Sequence, residues 1–97
     1  MGLMNISEKS AALYGAGAYG RMLLGLCEKS GIEVTCVCDS DASKVGGMLD
    51  GVRIVSLDEL KRAHQNEMII ISVKDNRAQE EIKRNLENEG FTKIEVL

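Results

Sequence analysis

The chain has 97 residues, 44% hydrophobic and 28% charged, which suits one module with a buried core and is short for two, since domains usually run to about 100–150 residues. Twelve basic against fifteen acidic side chains, a net charge of −3, one Phe, two Tyr and no Trp argue against the basic footprint and the aromatic platform that nucleic-acid binding needs. Cys27, Cys36 and Cys38 cannot all pair within one chain, no apolar run reaches the roughly 18 residues of a membrane span, and Met1 to Ser10 lacks a signal-type segment; a cytoplasmic protein is expected.

After a polar lead-in from Asn5 to Ser10, Ala11-Ala12-Leu13-Tyr14 reads as a short strand that runs into Gly15-Ala16-Gly17-Ala18-Tyr19-Gly20. A helix is expected from Ala18, with Met22, Leu23, Leu26 and Cys27 recurring at spacings of three and four, and Ser30-Gly31 as its stop. Ile32 to Cys38 is a second strand, rich in β-branched residues and ended by Asp39. Asp39 to Gly51 has no helical period and reads as an irregular crossover closed by the Asp50-Gly51 turn signal.

Val52 to Val55 is then a third strand, and Ser56-Leu57-Asp58-Glu59 fits a capping box that opens a helix reaching about Gln65. Met68 to Val73, the most hydrophobic run, lacks alternation and fits the centre of a parallel sheet. Asn76 is expected to cap a last helix with Ala78, Ile82 and Leu86 inward, stopped at Gly90-Phe91. Thr92 to Leu97 alternates as an edge strand. The order β-α-β-β-α-β-α-β predicts an α/β fold of three layers around a mostly parallel five-stranded sheet, order 3-2-1-4-5, built as one domain over residues 1–97. The uncovered edge suggests a piece of a longer protein, with a downstream catalytic domain or a second copy as partner.

Gly15-x-Gly17-x-x-Gly20 lies between a strand and a helix, and Asp39 stands nineteen residues past Gly20, where dinucleotide-binding proteins hold the adenine ribose. Gly15 would make the tight turn, Gly17 would let a phosphate approach bare backbone, and Gly20 would let helix pack on strand, with the helix N-terminus attracting the phosphates. Asp39, with Asp41 behind it, would accept from the ribose hydroxyls and repel a 2′-phosphate, favouring NAD(H) over NADP(H). The candidate binding set is Gly15, Ala16, Gly17, Ala18, Tyr19, Gly20, Arg21, Asp39 and Ser40, joined by Lys74 and Asn76 at the switch point beside the first strand. For each there is also a purely structural role: a tight turn, a strand end, a solvated cation or a helix cap.

No catalytic residue and no metal ligand is expected. Cys36-x-Cys38 is not a zinc spacing, His64 is the only histidine, and there is no Tyr-x-x-x-Lys pair, Ser/His/Asp set or Gly-x-Ser-x-Gly elbow.

The segments Leu13 to Arg21, Cys38-Asp39-Ser40-Asp41 with Lys44 and Gly47, Gly51 to Val55 before Leu57-Asp58-Glu59-Leu60, and Ile70 to Val73 resemble the Rossmann-type modules of bacterial polysaccharide biosynthesis. Such modules front nucleotide-sugar dehydratases and epimerases or are attached to glycosyltransferases and methyltransferases. Asp75-Asn76-Arg77 and Gly90-Phe91 are also similar to the N-terminal UDP-sugar-binding domain of bacterial sugar acyltransferases, whose glycine turn usually carries a histidine where Tyr19 stands here. The resemblance implies a Rossmann-like module that binds a small-molecule nucleotide, NAD(H) or an NDP-sugar such as a UDP-sugar, and is non-catalytic by itself. Two alternatives stand beside it: the cofactor-binding part of an NDP-sugar oxidoreductase or dehydratase, and a ligand-free interaction domain.

Overall fold

Strands without charge can be covered on both faces, and two uncharged strands of this chain, Ser10–Tyr14 and Met68–Ile71, lie side by side inside its sheet. The computed structural model describes residues 8–96. Residues 1–7 and Leu97, with the first half of the Asn5–Ser10 lead-in and the end of the expected edge strand, lie outside the described residues.

The elements in chain order are β1 (Ser10–Tyr14), α1 (Ala18–Lys29), β2 (Glu33–Cys38), β3 (Met48–Leu49), β4 (Val52–Val55), α2 (Leu57–Ala63), β5 (Met68–Ile71), α3 (Asn76–Asn88) and β6 (Ile94–Val96). They form one six-stranded sheet of order β3-β4-β2-β1-β5-β6. Strands β4, β2, β1, β5 and β6 are parallel and stand in the order expected from the sequence. The sixth strand is the addition: β3 pairs antiparallel with β4 through Met48↔Arg53 and Leu49↔Val52. Its turn is Asp50-Gly51, both residues at positive φ, 47° and 86°, which is the backbone that a two-residue hairpin with the right twist needs. The crossover is thus irregular only as far as this hairpin.

Alternation along β1 and β5 divides the core between two faces. Leu13, Val37 and Ile70 pack with Leu23, Leu24 and Cys27 of α1; Ala12, Cys36, Cys38, Ile69 and Ile71 pack with Leu60 of α2, Leu86 of α3 and Phe91. Helix α1 covers one face and α2 and α3 the other, giving the three layers.

Three local expectations are corrected. The buried face of α1 is Gly20, Leu23, Leu24 and Cys27, while Met22 and Leu26 are 50% and 41% exposed. Close docking at Gly20 turns the helix so that residues 22 and 26 fall on its outer side. Ser56 does cap α2, accepting from the Glu59 N–H at 3.2 Å, but the Glu59 carboxylate pairs with Arg53 at 3.0 Å. The cap of α3 is Asp75, whose carboxylate accepts from the Ala78 N–H at 2.8 Å; Asn76 is the first residue of the helix. A carboxylate one position earlier reaches the third amide of the turn, the usual geometry of an N-cap.

Candidate nucleotide site

The loop from β1 to α1 has to reverse the chain between two packed layers, and the close approaches at Gly15 and Gly20 show what that requires. Gly15 has φ +127°, and a Cβ there would sit 2.6 Å from the Ser72 carbonyl oxygen. Its N–H donates to the Cys38 carbonyl at 2.7 Å. A Cβ on Gly20 would run into the Gly15 carbonyl oxygen. Gly17 is different: a Cβ there would meet nothing within 4 Å, and the residue is the N-cap of α1 with no side chain to cap it.

The first helical bond runs from the Arg21 N–H to the Gly17 carbonyl at 3.0 Å. The amides of Ala18, Tyr19 and Gly20 belong to the first turn, where amides have no intrahelical acceptor. That turn carries no acidic residue, so the positive end of the helix dipole is not neutralised by its own sequence. Gly17 and Ala18 are exposed, while Tyr19 is half-buried against the core.

Asp39, half-buried at the end of β2, accepts from the Ala16 N–H through Oδ2 and from the Asp41 N–H through Oδ1, both at 2.8 Å. The expected position beside the turn is therefore occupied by a carboxylate that already holds the turn. Asp41 is turned away from it: its carboxylate accepts from the Ser43 hydroxyl and N–H, which lower its pKa. Beside Asp39 opens a cavity of about 300 Å³ lined by Tyr14, Asp39, Ser40, Val45, Leu57 and Asp58 among others. Burial, then the nearby Cys38 and Asp39, raise the Tyr14 pKa, so its phenol stays a hydrogen-bond donor.

The remaining candidates divide. Lys74 and Asn76 follow β5, which pairs with β1, so both stand at the switch-point end of the sheet and both are exposed. Asn76, however, lines a different cavity, with Gln79, Lys83 and Val96 on the β6 side. Arg21 pairs with Asp50 of the β3–β4 turn at 3.3 Å. The structure thus brings together residues 15–20, Asp39 and Ser40, and sets Arg21 and Asn76 to the sides.

Glycine spacing does not single out Tyr14, Leu57, Asp58 or Ser72, which the fold brings beside the turn and its cavity. Ser72 had one signal, a single hydroxyl at the end of an otherwise apolar strand. The cysteines are core residues: burial pushes the Cys36 thiol up to about 11 and the Cys38 thiol up to about 12, leaving both as neutral thiols at ordinary pH. His64, the C-cap of α2, pairs with Glu67 at 2.8 Å ahead of β5, at the end of the sheet opposite the glycine turn. Among the described residues no three His, Cys, Asp or Glu side chains converge as a metal site would require, and no helix is long and apolar enough to cross a membrane.

Residues 7–97 match the family profile described as C2185-like, N-terminal. The chain belongs to this family. No curated protein matches the chain by sequence. Among solved structures, the chain is similar to UDP-D-quinovosamine 4-dehydrogenase from Vibrio fischeri, at 17% identity and TM-score 0.72, with 94% of this chain and 79% of that one covered. It is similar to perosamine N-acetyltransferase from Caulobacter crescentus, in complex with CoA and GDP-perosamine, at 20% identity and TM-score 0.69 over 86% of this chain and 40% of that one. It is also similar to RSP, a Rex-family repressor, in complex with NADH, at 18% identity and TM-score 0.62 over 93% and 53% of the two chains. At these identities the likeness is one of fold, and the fold is Rossmann-like.

Proposed function

We propose that this domain binds a nucleotide, NAD(H) or an NDP-sugar, with its pyrophosphate on the amides of Ala18, Tyr19 and Gly20. The observation that carries the reading is the open space over Gly17, at an uncapped helix N-terminus with no acidic residue in its first turn. An anion fits there because helix amides and dipole both favour it. Asp39 and Ser40 stand on the ribose side, where each carboxylate oxygen of Asp39 keeps a lone pair beyond its one backbone bond. The cavity beyond them, with Tyr14, Val45 and Leu57 as apolar walls, takes the base. Lys74, Asn76 and Arg21 act at the rim, Arg21 after leaving Asp50.

The solved relatives act on UDP-D-quinovosamine or bind GDP-perosamine or NADH, which supports both ligand classes and a place in sugar or cell-envelope polysaccharide biosynthesis. The module works in the cytoplasm, as one domain, beside a catalytic domain or a second copy. It has no turnover of its own, because proton abstraction from a sugar hydroxyl needs a positioned base and the only histidine stands at the far end of the sheet.

The test is a calorimetric screen of the chain against NAD(H), NADP(H), UDP-sugars and GDP-sugars, with absorbance at the NADH band followed in parallel. Saturable binding of at least one nucleotide without turnover is expected. Binding of none of them overturns the site, and sustained NADH production overturns the non-catalytic reading.

A further inference from the structure

Ser72 is the one polar side chain among the fully buried described residues, 2% exposed. It follows β5, whose four residues are all buried and apolar. An alanine would nearly fill the same volume, and a hydroxyl taken out of water costs free energy unless it is bonded. Its bond runs to the turn: Oγ donates to the Gly15 carbonyl at 2.8 Å, across 57 residues of chain. Among the described residues no backbone amide donates to that carbonyl. The Ser72 N–H donates to the neighbouring Tyr14 carbonyl at 2.9 Å, which fixes the strand at the same point.

The Gly15 carbonyl and the Ala16 N–H are the two ends of one peptide unit. Ser72 holds the oxygen end from β5, and Asp39 holds the N–H end from β2 at 2.8 Å. Peptide planes next to glycine are the easiest in a chain to rotate, because glycine accepts either sign of φ. If this plane turned over, the carbonyl dipole would be reversed at the mouth of the turn, where oxygen would oppose a phosphate and the Gly20 contact that docks α1 would be lost.

We propose that Ser72 is a positioning residue for nucleotide binding: with Asp39 it clamps the 15–16 peptide plane, so that the first turn of α1 presents its amides to the ligand, which Ser72 itself never touches. The inference rests on the nucleotide reading above. It also divides the labour of the turn: the Ala16 N–H is spent on the clamp, and the ligand is left to the amides that follow.

The experiment compares wild type with Ser72→Ala, Ser72→Cys and Ser72→Thr by calorimetry with the nucleotide that wild type binds best, and by amide hydrogen exchange at Ala16. Ser72→Ala is expected to bind about tenfold more weakly, the scale of one lost buried hydrogen bond, and to exchange the Ala16 amide faster, although Ser72 does not touch that amide. Ser72→Thr keeps the hydroxyl and is expected to restore both. Ser72→Cys keeps the volume with a weak donor, so it carries the test if the alanine variant does not fold, with weaker binding and faster exchange expected. Wild-type affinity together with wild-type Ala16 exchange in the folded Ala or Cys variant overturns the clamp. A wild type that binds no nucleotide overturns the nucleotide reading instead, and with it any positioning role, whatever the exchange rates show.

Discussion

The two ends of the sheet use polar side chains shielded from water in opposite ways. At the N-terminal end of the strands His64 meets Glu67 at 2.8 Å, and Glu67 accepts from Thr35 at 2.5 Å; these side chains satisfy one another. At the other end Asp39 and Ser72 bond to backbone, and the first-turn amides of α1, which have no intrahelical acceptor, stand beside them. A cluster of reactive-looking side chains is therefore the closed end of this molecule, and a nearly featureless run of Gly and Ala is the open one. Sites for phosphate in this fold are made of main chain, and their side chains serve to aim it.

The sharpest way to break this comparison lies within the turn itself. Gly20→Val is expected to destabilise the fold by about 3 kcal/mol, because its Cβ would be driven into the Gly15 carbonyl. Gly17→Val, three residues earlier, meets open space at φ −94° and should cost no more than about 1 kcal/mol while abolishing nucleotide binding. Urea denaturation and calorimetry of the two variants check this; a Gly17→Val protein that still binds places the phosphate elsewhere.

Asp39→Ala comes next. It leaves the Ala16 N–H without its acceptor and removes the group facing the ribose, so affinity should fall by about 1–3 kcal/mol, with the preference for NAD(H) over NADP(H) narrowed if the ligand is a dinucleotide. An unchanged affinity would take Asp39 out of both roles.

The smallest effect is expected at the closed end. His64→Ala removes one half-buried pair and should cost about 1 kcal/mol of stability with nucleotide affinity unchanged. A change in affinity there would couple the two ends, contrary to the division drawn above.

The sequence makes the architecture legible because its glycines, its β-branched runs and its Asp50-Gly51 turn are local signals, each read within a few residues. Strand order followed, including the position of β1 between β2 and β5. The orientation of α1 was not readable in this way: Met22 and Leu26 satisfy a helical period as well as Leu24 and Cys27 do, and only the depth of the Gly20 contact chooses between the faces. The Asp50-Gly51 signal was visible, but a strand of two residues is below what periodicity can resolve. Asp39 could be found by spacing from the glycines, yet its bond to Ala16 crosses 23 positions. Ser72 lies further out still, since the meaning of its hydroxyl depends on a carbonyl that becomes its neighbour only after β5 has paired with β1.

The two-residue strand β3 has a consequence for how the molecule lives among its own copies. A long flat outer strand is a template on which foreign strands can grow. Here that margin is two residues wide, bent back by a tight turn and tethered to α1 through Arg21 and Asp50. It offers too few free main-chain groups for a stranger to add a rung and keep adding, so on that flank the sheet carries its own stopper against runaway polymerisation.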